Sequence, residues 1–200
     1  MSEQEPGPRK KYASGRNLQS IILLVIGLGL VLISVLVFLA LPGAQAEVQQ
    51  VQQASGYAVP MQVNYPAPEV KITDLQNKPV ALSDYKGQVV LYNAWATWCP
   101  PCKEEMPTLN AYYKDHQVDG FVVVAIEDGD PLEQVAAYAR DNGLMFPVWP
   151  DLKWVATTSF KTDVLPSTFV IDRNGVVRLT WNGPITRESL EKYVTPVIKE

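Results

Sequence analysis

Two cysteines, Cys99 and Cys102, are the residues of this sequence with the clearest capacity for chemistry, and they stand three positions apart within Trp98-Cys99-Pro100-Pro101-Cys102. At that spacing in a helix, two thiols lie on one face, one turn apart. The pair follows an apolar run and opens a predicted helix, where unpaired N–H groups and the helix dipole favour a thiolate. We therefore expect Cys99 to attack a substrate disulfide and Cys102 to resolve the mixed disulfide.

The Cys-x-x-Cys spacing alone is only moderately specific, so other uses of the pair compete. A zinc site of Cys and His needs four ligands, and the chain holds two cysteines and the single histidine His116. A c-type haem attachment needs a histidine after the second cysteine, where this chain has Lys103. Two inert core cysteines stay open as an alternative on the spacing alone.

Charge and apolar residues are unevenly distributed along the 200 residues. Residues 1–20 carry four basic and two acidic residues, whereas the rest of the chain carries thirteen and nineteen. An acidic main part argues against a nucleic-acid partner, whose phosphates need a basic surface. The partners are therefore expected to be proteins or small molecules.

The stretch at 21–41 contains no charged residue, and as a helix it would cover about 30 Å, the thickness of a bilayer core. It predicts a signal-anchor helix in contact with membrane lipid. The basic cluster before it predicts a cytoplasmic tail at 1–20 and an extracytoplasmic main part. Cleavage of a signal peptide near Ala44-Gln45-Ala46 is the alternative. The Gln-, Ala- and Pro-rich residues 42–64 predict a flexible spacer.

From residue 65 to residue 200 the pattern predicts one α/β domain. Apolar runs at 89–95 and 121–126 have the length of strands that are buried on both faces. A helical pattern at 100–116 separates them, and Asn174-Gly175 indicates a hairpin between two later strands. Alternating strands and helices, closed by a hairpin and a helix, predict a central mixed β-sheet flanked by helices on both faces.

Two segments resemble a known family. NAWATWCPPCKEEMP at 93–107 and LPSTFVIDRNGVV at 165–177 are similar to the two signatures of the TlpA/ResA-like branch of the thioredoxin superfamily. Members of that branch are membrane-anchored, extracytoplasmic thiol–disulfide oxidoreductases, several of which serve cytochrome c maturation. The similarity runs from about residue 67 to residue 197, and it implies a thioredoxin-like fold.

The resemblance implies four catalytic residues: Cys99, Cys102, Glu105 and Pro166. Pro166 corresponds to the superfamily's cis-proline, which faces the cysteine pair. Glu105 corresponds to an acid beneath the cysteines that exchanges a proton with Cys102, and a partly buried carboxyl group has a raised pKa suited to that task. On spacing alone, a solvated helix charge is the alternative for Glu105.

Four more residues are expected to contact the substrate: Trp98, Pro100, Pro101 and Leu165. The backbone of Leu165 would pair with an extended substrate segment. Asn93 stands where thioredoxins proper carry a buried acid, which fits a branch that uses Glu105 instead. The acidic residues Glu127 and Asp128, at the end of a predicted strand, are interpreted as part of a solvated loop, and a position near the edge of the site is the alternative.

The resulting functional prediction is an extracytoplasmic reductase of disulfides in exported proteins, with apocytochrome c as one candidate substrate. A membrane protein that donates electrons is implied as a partner, and no metal or organic cofactor is expected. An oxidase or isomerase on the same fold is the first alternative. A thiol peroxidase is less favoured, because Ala96 stands where a peroxidatic cysteine has its threonine. A tethered, non-enzymatic assembly module is the last alternative.

Overall fold

The computed structural model describes the backbone of residues 15–40 and 59–200, and the side chains of residues 21–37 and 59–200. The chain divides into an N-terminal unit up to Ala54 and a second unit from Ser55 to Glu200. Residues 42–58 of the predicted spacer at 42–64, and most of the predicted cytoplasmic tail, lie outside the described residues.

The described part of the N-terminal unit is helix α1, Gly15–Ala40. It includes the predicted membrane span at 21–41 as far as residue 40. Counting only the residues that the structure describes, no helix is both long enough and apolar enough to cross a membrane. The membrane span therefore stays a prediction.

The second unit contains a six-stranded mixed sheet. Its strands are β1 (Met61–Pro66), β4 (Val89–Trp95), β5 (Phe121–Glu127), β6 (Val148–Pro150), β7 (Ser167–Ile171) and β8 (Val176–Asn182). They lie in the order β1-β8-β7-β4-β5-β6; the pairs β4–β5 and β5–β6 are parallel, and the other pairs are antiparallel. A separate two-stranded ribbon contains β2 (Lys71–Thr73) and β3 (Pro79–Ala81).

Helices cover both faces of this sheet, as the alternation of strands and helices predicted. Side chains of β4 alternate between two apolar clusters, with Leu91 and Trp95 in one and Val90 and Tyr92 in the other. The helices are α2 (Pro100–His116), α3 (Leu132–Asp141), α4 (Val155–Phe160), α5 (Arg187–Ser189) and α6 (Thr195–Ile198), with the π-helical turn Leu190–Val194 between the last two. Helices α2 and α3 and the C-terminal helical segment contribute to the first cluster, and α4 contributes to the second.

The predicted start of the α/β domain, at residue 65, lies four residues after the observed start of β1 at Met61. Residues 61–64 were assigned to the spacer, but they belong to β1, which pairs antiparallel with β8 from Met61↔Thr180 to Pro66↔Val176. β1 lies at the edge of the sheet, and none of its side chains is fully buried. Main-chain hydrogen bonds therefore hold this strand without the apolar alternation that would reveal it in the sequence.

Candidate active site

The two cysteines lie where β4 passes into α2. β4 is apolar and buried along its whole length, so its end is fixed, and a short loop leads from Trp95 to Cys99. Cys99 is the N-cap residue of α2, and Pro100 and Pro101 occupy the first turn, where a missing N–H costs no helical hydrogen bond. The Cys102 N–H donates to Cys99 Sγ over 3.3 Å. The local sequence thus places both sulfurs at the start of one helix.

Cys99 and Cys102 are joined as a disulfide, with 5.3 Å between their Cα atoms. Cys99 is 4% exposed and Cys102 is 0% exposed. Cys99 thus keeps a small exposed surface, whereas Cys102 has none. This difference in access favours the predicted order, in which Cys99 attacks first and Cys102 resolves.

The surface beside Cys99 is apolar. Trp98 is 64% exposed, and Val164 is exposed on a second loop. The Leu165–Pro166 peptide bond is cis, as the resemblance implied. Since Ala94 of β4 pairs with Ser167 of β7, the register brings Pro166 beside the end of β4, where the active-site loop begins.

The predicted substrate-contact residues differ in their exposure. Trp98 and Pro100 are exposed, Pro101 and Leu165 are half-buried, and Pro166 is buried. Leu165 precedes β7 and is not paired in the described sheet. These positions fit contact with a substrate chain that lies across the disulfide, and the contacts themselves stay predictions.

Glu105 lies one helical turn after Cys102 and is 2% exposed. Its Oε1 accepts a hydrogen bond from Asn93 Nδ2 over 2.8 Å, and its Oε2 accepts one from the Ile185 N–H over 2.9 Å. Burial raises the pKa of Glu105 from 4.5 to about 7, and the two hydrogen bonds oppose this rise. A carboxyl group with that pKa can take up or release a proton near neutral pH, as the predicted exchange with Cys102 requires.

Asn93 fixes the orientation of Glu105 from β4. It is fully buried, and its Nδ2 also donates to Thr168 Oγ1 over 3.2 Å. Its Oδ1 has no hydrogen-bond partner among the described residues. A half-turn of the Asn93 amide would present Oδ1 to the O–H of protonated Glu105, so the amide can serve both protonation states of the acid.

The assignment of Glu127 to a solvated loop was wrong. Glu127 is the last residue of β5 and is 0% exposed, whereas Asp128 is partly exposed. The parallel register pairs Glu127 with Trp95, the last residue of β4, so the carboxyl group lies at the same sheet edge as the active-site loop. Burial and the hydrogen bond to Asp130 raise the pKa of Glu127 to about 8.

Thr97 and Asp130 were not singled out by the sequence analysis. Asp130 Oδ2 accepts hydrogen bonds from the Thr97 N–H over 3.2 Å and from the Thr97 hydroxyl over 2.5 Å. The only signal available in the sequence is that an acidic loop follows a strand parallel to β4. Only Trp98 separates Thr97 from Cys99, so these bonds act on the loop that carries the nucleophile.

Comparison with known proteins agrees with this geometry. Residues 63–180 match the model of the AhpC/TSA family. The chain is 36% identical over 131 residues to the thiol-disulfide oxidoreductase ResA of Geobacillus kaustophilus, a match that covers 66% of this chain and 75% of that protein. It is 33% identical over 128 residues to ResA of Bacillus subtilis, covering 64% and 72%.

The chain belongs to the AhpC/TSA family, among its ResA-type thiol–disulfide oxidoreductases. A solved thiol:disulfide interchange protein of the thioredoxin family, from Chlorobium tepidum, superposes with a TM-score of 0.62 at 27% identity. That match covers 69% of this chain and 99% of the other. The thioredoxin-like fold and the assignment as a thiol–disulfide oxidoreductase are thereby confirmed.

Proposed function

We propose that this ResA-type enzyme works as a reductase of disulfides in exported proteins. The reductive direction is inferred from the small number of groups that stabilise a thiolate at Cys99. Pro100 and Pro101 remove two N–H groups from the helix start, which leaves the Cys102 N–H as the donor to Cys99 Sγ. The buried Glu105 on the same helix places a carboxyl group, rather than a cation, one turn beyond Cys102.

The direction follows from the energy of the reduced form. A dithiol protein is a strong oxidant when its reduced form is stabilised, chiefly through a stable thiolate. Here the two prolines leave the helix start with fewer donors than usual, and an acid lies nearby, so the helix start stabilises the thiolate less than it otherwise would and the disulfide form is favoured. A protein that prefers its own disulfide passes electrons to its substrates, which is the action of a reductase.

The equilibrium of the Cys99–Cys102 pair with glutathione at pH 7 tests this direction. We expect a reduction potential near that of thioredoxin, about −270 mV, and far from the strongly oxidising value of about −120 mV. The fraction of dithiol can be measured by alkylation and mass spectrometry across a series of glutathione ratios. A potential near the oxidising end would overturn the reductive direction in favour of the oxidase or isomerase.

The substrate is proposed to be an extended protein segment that carries a disulfide. The exposed Trp98 offers it a flat apolar surface beside Cys99, and Leu165 offers unpaired backbone on the neighbouring loop. Apocytochrome c is one candidate of this kind. A reductase outside the cytoplasm consumes electrons at each turnover, so a membrane protein that supplies them completes the proposal.

Membrane anchorage through residues 21–41 is the second part of the proposal. It is supported by the uncharged sequence of that stretch and by the four basic residues that precede it. We expect the full chain to sediment with membranes and to resist alkaline carbonate, with the catalytic domain open to protease from outside. A variant with Leu28→Arg and Leu32→Arg should lose this retention, because each charge at the centre of a span costs about 3 kcal/mol. Recovery of the unaltered chain in the soluble fraction would contradict anchorage.

A further inference from the structure

A second buried carboxyl group lies beside the active-site loop, and the thiol chemistry described so far does not use it. Glu127 ends β5, and its neighbour Asp128 donates its N–H to the carbonyl oxygen of Trp95 over 2.9 Å. The carbonyl oxygen of Glu127 accepts the Asp151 N–H over 2.8 Å. Backbone hydrogen bonds therefore fix Glu127 on two sides, next to the end of β4.

Glu127 is connected to Thr97 through Asp130. The Asp130 N–H donates to the carboxyl group of Glu127, with 3.3 Å to Oε1 and 3.0 Å to Oε2. Asp130 in turn accepts both the N–H and the hydroxyl hydrogen of Thr97. Gln134 of α3 adds a hydrogen bond from its Nε2 to Thr97 Oγ1 over 2.5 Å. A continuous chain of contacts thus runs from Glu127 to the loop that carries Cys99.

The carboxyl groups of Glu127 and Asp130 interact electrostatically, and they repel each other unless one of them holds a proton. Burial raises the pKa of Glu127 to about 8, whereas the contact with Glu127 and the hydrogen bonds accepted from Thr97 lower the pKa of Asp130. The charged groups that act on Glu127 are Asp130 and Asp128, and both are acidic. Asp151, on the segment after β6, adds a further carboxylate that acts on Asp128. These opposite shifts favour a neutral Glu127 beside an anionic Asp130 at neutral pH.

We propose that Glu127 and Asp130 are positioning residues that hold Thr97, Trp98 and Cys99 in place, and that loss of the Glu127 proton weakens this hold and disfavours the dithiol form. Two ionised carboxylates in contact repel each other, so Asp130 would be displaced from Thr97. The second negative charge would also raise the energy of a thiolate at Cys99. This inference rests on the proposed thiol chemistry, but it does not depend on the reductive direction or on the membrane anchor.

Nuclear magnetic resonance of the oxidised protein tests the positioning directly, because disulfide sulfurs do not titrate. We expect the Thr97 amide resonance to shift between pH 6 and 9.5 with a midpoint near 8. Glu127→Gln should abolish that shift, since the amide of Gln stays uncharged at every pH. Glu105→Gln should leave it in place, which separates the two buried carboxyl groups. A Thr97 amide that does not titrate in the unaltered protein, or that still titrates in Glu127→Gln, would overturn the proposal.

The effect on chemistry is measured by the equilibrium in which the protein disulfide and two glutathione thiols give the protein dithiol and one glutathione disulfide. At pH 6.5 we expect equal equilibrium constants for Glu127→Gln and the unaltered protein. At pH 9 the variant should favour the dithiol about threefold more, because only the unaltered protein has gained the extra charge. Glu105 and the thiols ionise in both proteins, so their contributions largely cancel when the equilibrium constant of the variant is divided by that of the unaltered protein.

The matched control is Glu133→Gln, the same substitution at an exposed acid in the first turn of α3. It should follow the unaltered protein at both pH values. The proposal would be contradicted if the equilibrium constant of Glu127→Gln, divided by that of the unaltered protein, were the same at pH 6.5 and pH 9. An oxidising potential at pH 7 would overturn only the reductive direction, since the comparison of the two pH values does not depend on it.

Discussion

Replacing Cys99 by serine is expected to lower the rate of disulfide reduction by at least about a thousandfold. The hydroxyl group that replaces the thiol is a far weaker nucleophile towards sulfur at neutral pH, and it cannot form the mixed disulfide. Cys102 cannot take over the attack, because its side chain is fully buried behind the helix start. The measurement is multiple-turnover reduction of a substrate in which one disulfide joins two short peptides, with an added dithiol that reduces the enzyme again after each turnover.

Cys102→Ser is the matched control for this loss. It removes the same number of sulfur atoms and should also abolish turnover, but it should keep the first step, attack by Cys99 on the peptide. Rapid release of one equivalent of peptide thiol, without further turnover, is the expected time course. If Cys99→Ser kept a substantial rate, the assignment of Cys99 as the nucleophile would be wrong.

Glu105→Gln is expected to slow the resolution of the mixed disulfide by about a hundredfold at pH 7 to 8. Cys102 must lose its proton before it can attack, and its surroundings are closed to water. The ionised Glu105 is the acceptor one turn away, and Gln cannot replace it. Single-turnover kinetics with a peptide disulfide should show the mixed disulfide accumulating in the variant and not in the unaltered protein.

The pH dependence distinguishes proton transfer from a merely structural role of Glu105. In the unaltered protein the rate of resolution should rise through pH 7, near the pKa of Glu105, as the carboxylate forms. The variant should lose that rise and keep only the dependence that comes from the thiols. An unchanged pH profile would contradict the role of Glu105 as a proton acceptor.

Measurements of the free energy of unfolding show whether Glu105→Gln is still correctly folded. Because burial raises the pKa of Glu105 from 4.5 to about 7, the folded state binds this proton more tightly than the unfolded chain does. The contribution of this proton to the free energy of unfolding is fully present below about pH 4.5 and is lost as the pH rises through about 7. Between pH 5 and 8 the unaltered protein should therefore lose up to about 3 kcal/mol relative to Glu105→Gln, by urea unfolding.

The elements that surround the cysteines could be predicted from local sequence patterns. β4 and β5 are continuous apolar runs, and α2 begins at the two prolines, so each shows its own boundaries. β1 does not, because an edge strand with exposed side chains is held by its backbone ladder with β8. The domain boundary was misplaced by four residues for that reason.

In the candidate site too, contacts between residues close in the sequence could be predicted, and contacts between distant residues could not. Cys99, Cys102 and Glu105 are within six residues of one another on one helix, so their spacing predicts that they share a face. The contact of Asp130 with Thr97 joins positions 33 residues apart, and it exists only because β4 and β5 run parallel and end together. No local pattern distinguishes the buried Glu127 from its partly exposed neighbour Asp128.

Trapping the mixed disulfide tests the central claim most directly. The reduced Cys102→Ser protein is mixed with the disulfide peptide, the reaction is quenched with acid, and the adduct is digested and analysed by mass spectrometry without reduction. We expect one half of the peptide bonded to Cys99, and no adduct on Cys102 in the Cys99→Ser protein treated in the same way. An adduct that forms as readily on Cys102 as on Cys99 would contradict the division of roles between an accessible attacking sulfur and a buried resolving one.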